Sequence, residues 1–249
     1  MSSPVYVLIG ATGGIGAPLA RRLASNGARL VLGARSADAL SALAGETGAS
    51  AFTLDATDAD AVDGLIGQAV EAHGRVDGIA NLVGSILLKP AHATSPDAFA
   101  ETLRLNLTTA FNAIRAGARQ MQRQTEPAGG SIVLMSSVAA RRGLANHEAV
   151  AAAKAGVEGL MRAAAATYAP KGVRVNAVAP GLVRTPLAGR LVASEAAVEA
   201  SAQMHPLGRI GEPEDITDAL ALLLDREASS WITGQTLGID GGLSTLKTR

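Results

Sequence analysis

The sequence predicts an α/β fold, a single doubly wound domain in which helices cover both faces of a seven-stranded parallel sheet. Short apolar runs alternate with longer amphipathic stretches throughout the 249 residues, and strands that alternate with helices build parallel βαβ units. The apolar runs show little alternation of polar and apolar residues, which is typical of strands buried on both faces. Right-handed crossovers between such strands give the doubly wound arrangement.

The predicted elements follow one another without a break in composition. Strands are predicted at 5–9, 29–32, 51–54, 78–83, 132–135, 173–178 and 236–239, and helices near 14–26, 36–46, 58–73, 96–124, 147–169 and 212–224. No Gly/Ser linker divides the chain, so residues 1–249 are predicted to form one nucleotide-binding domain. The long irregular segment around 180–213 is predicted to hold a substrate lid near 183–212, because ligands bind beyond the carboxyl ends of such strands.

Composition argues against several classes of protein. Lys plus Arg equals Asp plus Glu at 22 each, so the basic surface of a nucleic-acid-binding protein is not expected. The chain has no cysteine and only four scattered histidines, so neither a disulfide framework nor a metal site is predicted. The start MSSPVYVLIG has no basic segment, and no apolar run reaches membrane-spanning length. We therefore expect a cytoplasmic protein without a membrane partner.

A glycine-rich turn follows the first predicted strand and precedes a predicted helix. It reads Gly10-Ala11-Thr12-Gly13-Gly14-Ile15-Gly16. Glycines let the backbone approach a pyrophosphate closely, and the helix N-terminus supplies free N–H groups. An ordinary strand–helix turn is the alternative, but this placement favours a nucleotide site formed by Gly10, Thr12, Gly13, Gly14, Ile15 and Gly16.

The end of the second strand indicates which dinucleotide binds. NAD-binding sites usually place Asp or Glu there, whereas this chain has Ala34 followed by Arg35. Arg35 can pair with a 2′-phosphate, so NADP(H) is predicted, with a solvated surface arginine as the alternative. Asp55, after the third strand, is a candidate acceptor for the adenine amino group. It could equally cap the next helix, with Thr57 and Asp58 as competing caps.

Several motifs along the chain resemble those of the short-chain dehydrogenase/reductase family, in its typical branch, which includes 3-oxoacyl-acyl-carrier-protein reductases. The glycine turn is similar to the family's cofactor loop, with Ile9 in place of the usual threonine. The other matching motifs are Asn81-Leu82-Val83-Gly84, Asn106 in LRLNLTTAF, Ser136-Ser137-Val138, and Pro180-Gly181-Leu182-Val183-Arg184-Thr185. The resemblance covers essentially the whole chain and implies a Rossmann-type oxidoreductase acting on a small molecule.

The resemblance also implies a role for each matching residue. Ser137 would bind the substrate carbonyl, Lys154 would hold the nicotinamide ribose, and Asn106 would support a water relay to the lysine. Further cofactor contacts would come from Asn81, Gly84, Pro180, Gly181, Val183 and Thr185. A tyrosine four residues before the lysine would transfer the proton, since positions i and i+4 share a helix face.

That position holds Val150, which has no proton to give. Three interpretations are open. In the first, the chain is a carbonyl reductase whose proton comes from water or another side chain. In the second, it is a redox enzyme of altered chemistry. In the third, it is an NADP(H)-binding sensor or scaffold with little catalysis. Arg141 and Arg142, near the expected substrate entry, either attract an anionic substrate or are a solvated pair.

His147 is the candidate proton donor. It lies seven residues before Lys154, the spacing at which the family's divergent enoyl-reductase branch places its tyrosine, and that branch also has an apolar residue at the nearer position. Positions i, i+3 and i+7 share a helix face, and imidazole is a competent proton donor near pH 7. The chain lacks the glycine loop of that branch, so this is an analogy of geometry. The alternative is a solvated residue where loop and helix meet.

The family commonly forms tetramers through its long helices, which here correspond to 96–124 and 147–169. The second of these is rich in alanine, which allows close approach across a two-fold axis. A homo-oligomer, either tetramer or dimer, is therefore predicted. The same small-residue face could instead pack only within the subunit.

Overall fold

The seven strands form one parallel sheet in a computed structural model of the chain, which describes residues 3–247. Their order is β3-β2-β1-β4-β5-β6-β7. The strands are β1 Val5–Ile9, β2 Arg29–Ala34, β3 Ser50–Thr53, β4 Gly78–Asn81, β5 Gly130–Met135, β6 Val173–Pro180 and β7 Thr236–Ile239. All neighbouring pairs are parallel. The predicted fold class is confirmed.

Eight α-helices are found within residues 3–247. They are α1 Gly16–Ser25, α2 Ala37–Thr47, α3 Ala59–His73, α4 Pro96–Leu103, α5 Thr109–Met121, α6 Glu148–Tyr168, α7 Glu195–Met204 and α8 Pro213–Leu224. Helices α3, α5 and α6 contribute to one hydrophobic core and α1, α2 and α8 to another. The sheet separates these cores, which explains why its central strands are apolar at nearly every position. None of the helices in this part of the chain is both long and apolar enough to cross a membrane.

The strand order reverses beside β1. From β1 the chain moves outward through β2 and β3, then returns to place β4 on the other side of β1. The loops after β1 and β4 therefore leave the sheet in opposite directions and open a crevice between them. The glycine turn follows β1, and Leu82–Gly84 follows β4, so both predicted cofactor motifs border this crevice.

The helix predicted over 96–124 is interrupted at its middle. Between α4 and α5 lies a π-helical turn, Arg104–Thr108. The Asn106 amide donates to the Thr102 carbonyl at 2.9 Å, and the Thr109 hydroxyl donates to the Leu105 carbonyl at 3.0 Å. These polar side chains bond to the helix backbone here, and π-turns of this kind often occur at functional sites.

The segment predicted to be irregular, 180–213, contains helix α7. Ser194 caps it by accepting a hydrogen bond from the Ala197 N–H group at 3.2 Å. The sequence EAAVEASAQM is rich in alanine and glutamate, which favour helices, so the expectation of a wholly irregular segment is wrong. The ends of the segment are tied together, because Val183 forms a bridge with Gly211 and Arg184 pairs with Glu212 at 3.1 Å.

Candidate active site

A cavity of about 550 Å³ opens at the carboxyl ends of β1, β2 and β4. One wall is the glycine turn and the opposite wall is the segment Thr185–Leu187. Of the predicted cofactor contacts, the wall includes Gly10, Thr12, Gly13, Gly14, Ile15, Gly16, Arg35, Asp55, Gly84 and Thr185. The structure thus brings together residues that are up to 175 positions apart in the chain, since Thr185 lies opposite Gly10.

Close backbone contacts explain the glycines of the turn. A Cβ atom on Gly16 would lie 2.5 Å from the Gly10 carbonyl oxygen, and one on Gly14 would lie 2.8 Å from the Thr185 Cβ. Gly10 itself has a φ of 83°, in the left-handed region that favours glycine. Helix α1 begins directly at Gly16, and Ile15 offers no side-chain cap. The Ala17 N–H donates to the Gly13 carbonyl at 3.0 Å and Pro18 has no N–H, so the Gly16 N–H is the group at the start of α1 that can bind an anion at the cavity wall.

The two charged residues beyond β2 and β3 have different surroundings. Arg35 is exposed, lines the cavity, and makes no ion pair with any other residue between 3 and 247. Asp55 accepts hydrogen bonds at 2.9 Å from both the N–H and the hydroxyl of Thr57. These bonds, the backbone one foremost, lower the pKa of the Asp55 carboxyl. The cap of α3 is Asp58, so the alternative that Asp55 caps this helix is wrong.

Ser137 and Lys154 are brought together at the end of β5. The Lys154 Nζ donates to the Met135 carbonyl at 2.8 Å, two residues before Ser137. Ser137 precedes a 3-10 turn and its hydroxyl accepts from the Ala139 N–H at 3.2 Å. The lysine is 6% exposed, and burial lowers its pKa to about 8. A Cβ atom on Gly84 would lie 3.2 Å from the same Nζ, so the lysine lies close to the cavity wall.

Asn81 and Asn106 are both buried, and their side chains form hydrogen bonds that hold the loop after β4. The Asn81 amide donates to the Thr109 hydroxyl at 3.3 Å and accepts from the Val83 N–H at 3.4 Å, which shapes the loop after β4. Asn106 lies in the π-helical turn and bonds to Ser85, the next residue along that loop, with its Nδ2 2.9 Å from the serine Oγ. Ser85 lines the cavity, and sequence comparison with the family motif, which ends at Gly84, did not identify it.

The position at which a proton donor is expected is buried and apolar. Val150 lies one turn before Lys154 in α6 and is 5% exposed. Neither tyrosine replaces it. Tyr6 is buried in β1, where burial foremost and then nearby carboxylates raise its pKa to about 12. Tyr168 ends α6, far along the helix from Lys154.

His147 immediately precedes α6 and is partly exposed. Its Nδ1 lies 2.7 Å from the Ala145 carbonyl oxygen, so this nitrogen carries a proton and donates it. The Lys89 N–H donates to the Asn146 carbonyl at 2.8 Å, which places the loop after β4 beside the start of the helix. His147 is not among the residues that line the 550 Å³ cavity.

Glu158 is a further residue that the sequence did not reveal. Its carboxylate is 8% exposed and accepts from the Ser136 hydroxyl at 2.9 Å and from the Arg141 Nε at 2.9 and 3.0 Å. Through these bonds Glu158 connects the side chains on both sides of Ser137 to α6. Its position one turn after Lys154 is the signal that could have identified it. Arg141 is thus ion-paired, and Arg142 donates to the Leu243 carbonyl.

The segment after β6 approaches the cavity only at its far end. Pro180 ends β6, and the Gly181 N–H donates to the Ile239 carbonyl at 3.1 Å. Val183 is 6% exposed and packs in the second core. Thr185 reaches the cavity wall, where it contacts the glycine turn. Of these predicted contacts, Thr185 alone lines the cavity.

A glycine-rich turn, a buried lysine and a strand-end serine at the carboxyl edge of a doubly wound sheet form the arrangement expected of a nucleotide-dependent oxidoreductase. Comparison with known proteins gives the family. A family model described as enoyl-(acyl carrier protein) reductase matches residues 10–244. The chain belongs to the short-chain dehydrogenase/reductase family.

Relatives and solved structures agree along the whole length. The cis-4-hydroxycyclohexanecarboxylate dehydrogenase of Sinomonas cyclohexanicum is 37% identical over 247 residues, which cover 97% of each protein. A short-chain type dehydrogenase/reductase from Mycobacterium ulcerans superposes with a TM-score of 0.90 at 30% identity, covering 98% of this chain and 91% of that one. ElxO with NADP bound gives a TM-score of 0.90 at 26% identity, covering 98% and 100%.

Proposed function

We propose that this oxidoreductase transfers hydride between NADP(H) and a small carbonyl or alcohol substrate, with a proton donor other than tyrosine. The observation that carries the proposal is the placement of the glycine turn and Arg35 around one cavity, with the Lys154 Nζ directly behind Gly84 of the cavity wall. NADP is bound in the ElxO structure, which has the same fold over nearly the whole chain. The Sinomonas relative is a dehydrogenase of a hydroxylated ring carboxylate, consistent with a small alcohol as substrate.

Each residue has a chemical task in this proposal. The glycine turn and the Gly16 N–H at the start of α1 bind the pyrophosphate, and the guanidinium of Arg35 pairs with the 2′-phosphate. Lys154 holds the ribose hydroxyls, and Ser137 donates to the substrate oxygen as charge develops on it. NADP(H) supplies or accepts the hydride at this site. The segment 183–212 acts as a lid, supported by the contact of Thr185 with Gly14.

His147 donates the proton in this scheme. Its Nδ1–H is held by the Ala145 carbonyl, so the imidazolium releases the proton on Nε2 and becomes the neutral tautomer without losing that bond. The start of α6 lies beside the loop after β4, because the Lys89 N–H donates to the Asn146 carbonyl at 2.8 Å. Reduction of C=C or other bonds by the same donor is part of this proposal, because a His147 donor need not act on a carbonyl oxygen.

Cofactor preference tests the proposal directly. We expect NADPH to raise the unfolding temperature more than NADH does at equal concentration, since Arg35 has no other ionic partner within residues 3–247. Arg35→Ala should weaken NADPH binding by about tenfold to a hundredfold, the contribution of hydrogen bonds to a charged group, and leave NADH binding nearly unchanged. Thermal shift and calorimetric titration measure both effects.

Arg29→Ala is the matched control, because Arg29 lies at the other end of the same strand β2. It should leave both affinities unchanged. A larger thermal shift with NADH than with NADPH would contradict the role given to Arg35.

A second candidate function is NADP(H) binding with little catalysis, as a sensor or scaffold. The buried Val150 at the proton-donor position favours it. NADPH oxidation across ketones, quinones and enones separates the two candidates. Turnover with any of these substrates supports the enzyme, and background rates throughout, with NADPH bound, support the sensor or scaffold.

We also infer a homo-oligomer, either tetramer or dimer, in the cytoplasm. Phe99 in α4 and Phe111 in α5 are 40% and 50% exposed, respectively. Exposed aromatic side chains on these helices are consistent with an interface between subunits.

A further inference from the structure

The hydrogen bonds between Ser85 and Asn106 determine the direction of the Ser85 hydroxyl hydrogen. The Asn106 Nδ2 lies 2.9 Å from the Thr102 carbonyl, which can only accept a hydrogen bond. The Asn106 Oδ1 lies 3.2 Å from the Ser85 N–H, which can only donate one. These two contacts fix which end of the amide is nitrogen and which is oxygen.

The Ser85 hydroxyl is therefore an acceptor toward Asn106. The amide Nδ2 lies 2.9 Å from the serine Oγ and donates to it, so the hydroxyl hydrogen must point away from the amide. Asn106 is 1% exposed and cannot turn to another partner in solvent. Since Ser85 lines the cavity and its hydroxyl donates to no other group between residues 3 and 247, its O–H is a free donor at the cavity wall.

The Ser137 hydroxyl also accepts a hydrogen bond and donates none within residues 3–247. Its Oγ accepts from the Ala139 N–H at 3.2 Å, which leaves its O–H hydrogen free as well. The two serines follow neighbouring strands, because Asn81 of β4 pairs with Leu134 of β5. Lys154 lies between the two strand ends, with its Nζ 2.8 Å from the Met135 carbonyl and 3.2 Å from a Cβ built on Gly84. Ser85 and Ser137, each with a free hydroxyl hydrogen, thus follow the two strands whose ends border the lysine.

We propose that Ser85 determines substrate specificity by donating a hydrogen bond to a second oxygen of the substrate, while Ser137 holds the reacting carbonyl oxygen. This inference rests on the proposed function and names its substrate class as ketones with a hydroxyl group on the neighbouring carbon. A ketone without that oxygen leaves the Ser85 donor unpaired. A site with an unpaired polar group discriminates against such a ligand.

Calorimetric titration of the NADP⁺-loaded protein tests the proposal without requiring turnover. The probes are 2-hydroxycyclohexanone and cyclohexanone, which differ only in the second oxygen. We expect the wild type to bind the hydroxyketone about tenfold more tightly, the effect of one hydrogen bond. In Ser85→Ala the ratio of the two dissociation constants should fall to about one, with the affinities for cyclohexanone and NADP⁺ unchanged.

The Ser85→Ala variant should fold normally, because the bonds of Asn106 to the Ser85 N–H and to the Thr102 carbonyl do not involve the serine hydroxyl. Ser41→Ala, which changes an exposed serine on α2, is the control and should keep the tenfold preference.

Equal binding of both ketones by the wild type would overturn the proposal. So would weaker NADP⁺ binding by Ser85→Ala, since the hydroxyl would then serve the cofactor. Failure of the proposed function gives a different result: NADPH is not oxidised with either ketone, whatever their binding ratio.

Discussion

Val150 occupies the position at which we expect a proton-donating tyrosine. The residue is 5% exposed and stands one helical turn before Lys154. Val150→Tyr would place a phenol where positions i and i+4 share a face with the lysine ammonium. We expect carbonyl reduction to rise by about a hundredfold or more, the usual contribution of a general acid. The larger side chain should also lower stability by about 1–3 kcal/mol through overpacking.

Val150→Phe is the matched control for this gain of function. It adds the same ring without the hydroxyl, so it should reproduce the loss of stability and none of the gain in kcat/KM. Steady-state rates and unfolding temperatures of both variants check this. If tyrosine and phenylalanine give equal rates, the missing phenol is not what limits the reaction.

Substitution of His147 tests whether the chain has a proton donor other than tyrosine. His147→Ala should lower turnover by at least about a hundredfold while NADPH affinity stays unchanged, because His147 is not among the residues that line the cavity. His92→Ala changes an exposed histidine in the short 3-10 helix Ala91–Ala93 and should leave turnover unchanged. Unchanged turnover in His147→Ala would remove this residue from the mechanism.

At the same scale, the family motifs predicted which residues lie near one another better than they predicted the hydrogen bonds of those residues. The positions of Lys154 beside the end of β5 and of Arg35 at the cavity follow from motif spacing and strand order. Ser85 and Glu158 were missed because their roles depend on partners 21 and 22 residues away, respectively. A residue whose function lies in what it bonds to across the fold leaves no local pattern in the sequence.

Among the elements, the glycine turn and α1 depend on each other most closely. A Cβ atom on Gly16 would lie 2.5 and 2.6 Å from the carbonyl oxygens of Gly10 and Ala11, respectively, which are backbone atoms that cannot move aside independently. Gly16→Ala should therefore push α1 away from the turn. We expect a stability loss of about 2 kcal/mol or more and loss of measurable NADPH binding.

Gly67→Ala provides the control, since a Cβ at this position in α3 meets nothing within 4 Å. It should stabilise the protein by about 0.5–1 kcal/mol through helix propensity and leave NADPH binding intact. Denaturant unfolding and cofactor titration measure both variants. Normal NADPH affinity in Gly16→Ala would show that the close contact at the turn is not required.

Strand positions were predicted well and helix interruptions poorly. The predicted bounds of β1 and β7 match the structure at both ends. For β1 the reason is that a parallel strand buried along its whole length is a continuous apolar run. The π-helical turn at Arg104–Thr108 was missed, since the amphipathic pattern continues through it and only side-chain bonds to the backbone distinguish it. Helix α7 was missed because its face is mostly exposed and carries little apolar periodicity.

For the whole molecule, the buried Lys154 links stability to pH. Burial lowers its pKa from 10.5 to about 8, so below pH 8 the folded protein carries a desolvated ammonium that the unfolded chain exposes to water. Between pH 8 and 10.5 the unfolded chain keeps this proton after the folded protein has lost it. The unfolded state then binds more protons, and the contribution of this group to stability rises with pH across that window.

Lys154→Met removes the ammonium and keeps a long apolar side chain. Without cofactor, the variant should be more stable than the wild type at pH 7, by an amount on the order of 2 kcal/mol. The difference should shrink as pH rises from 8 toward 10, as the wild-type lysine loses its proton. Urea unfolding at several pH values measures the difference, and subtraction cancels the other titrating groups.

Lys171→Met, which removes an exposed ammonium, is the control. A difference that stays constant with pH, or a wild type that is the more stable at pH 7, would mean that the Lys154 amine is solvated. NADPH should reverse the order, because it stabilises the wild type through the ribose contact that methionine cannot make.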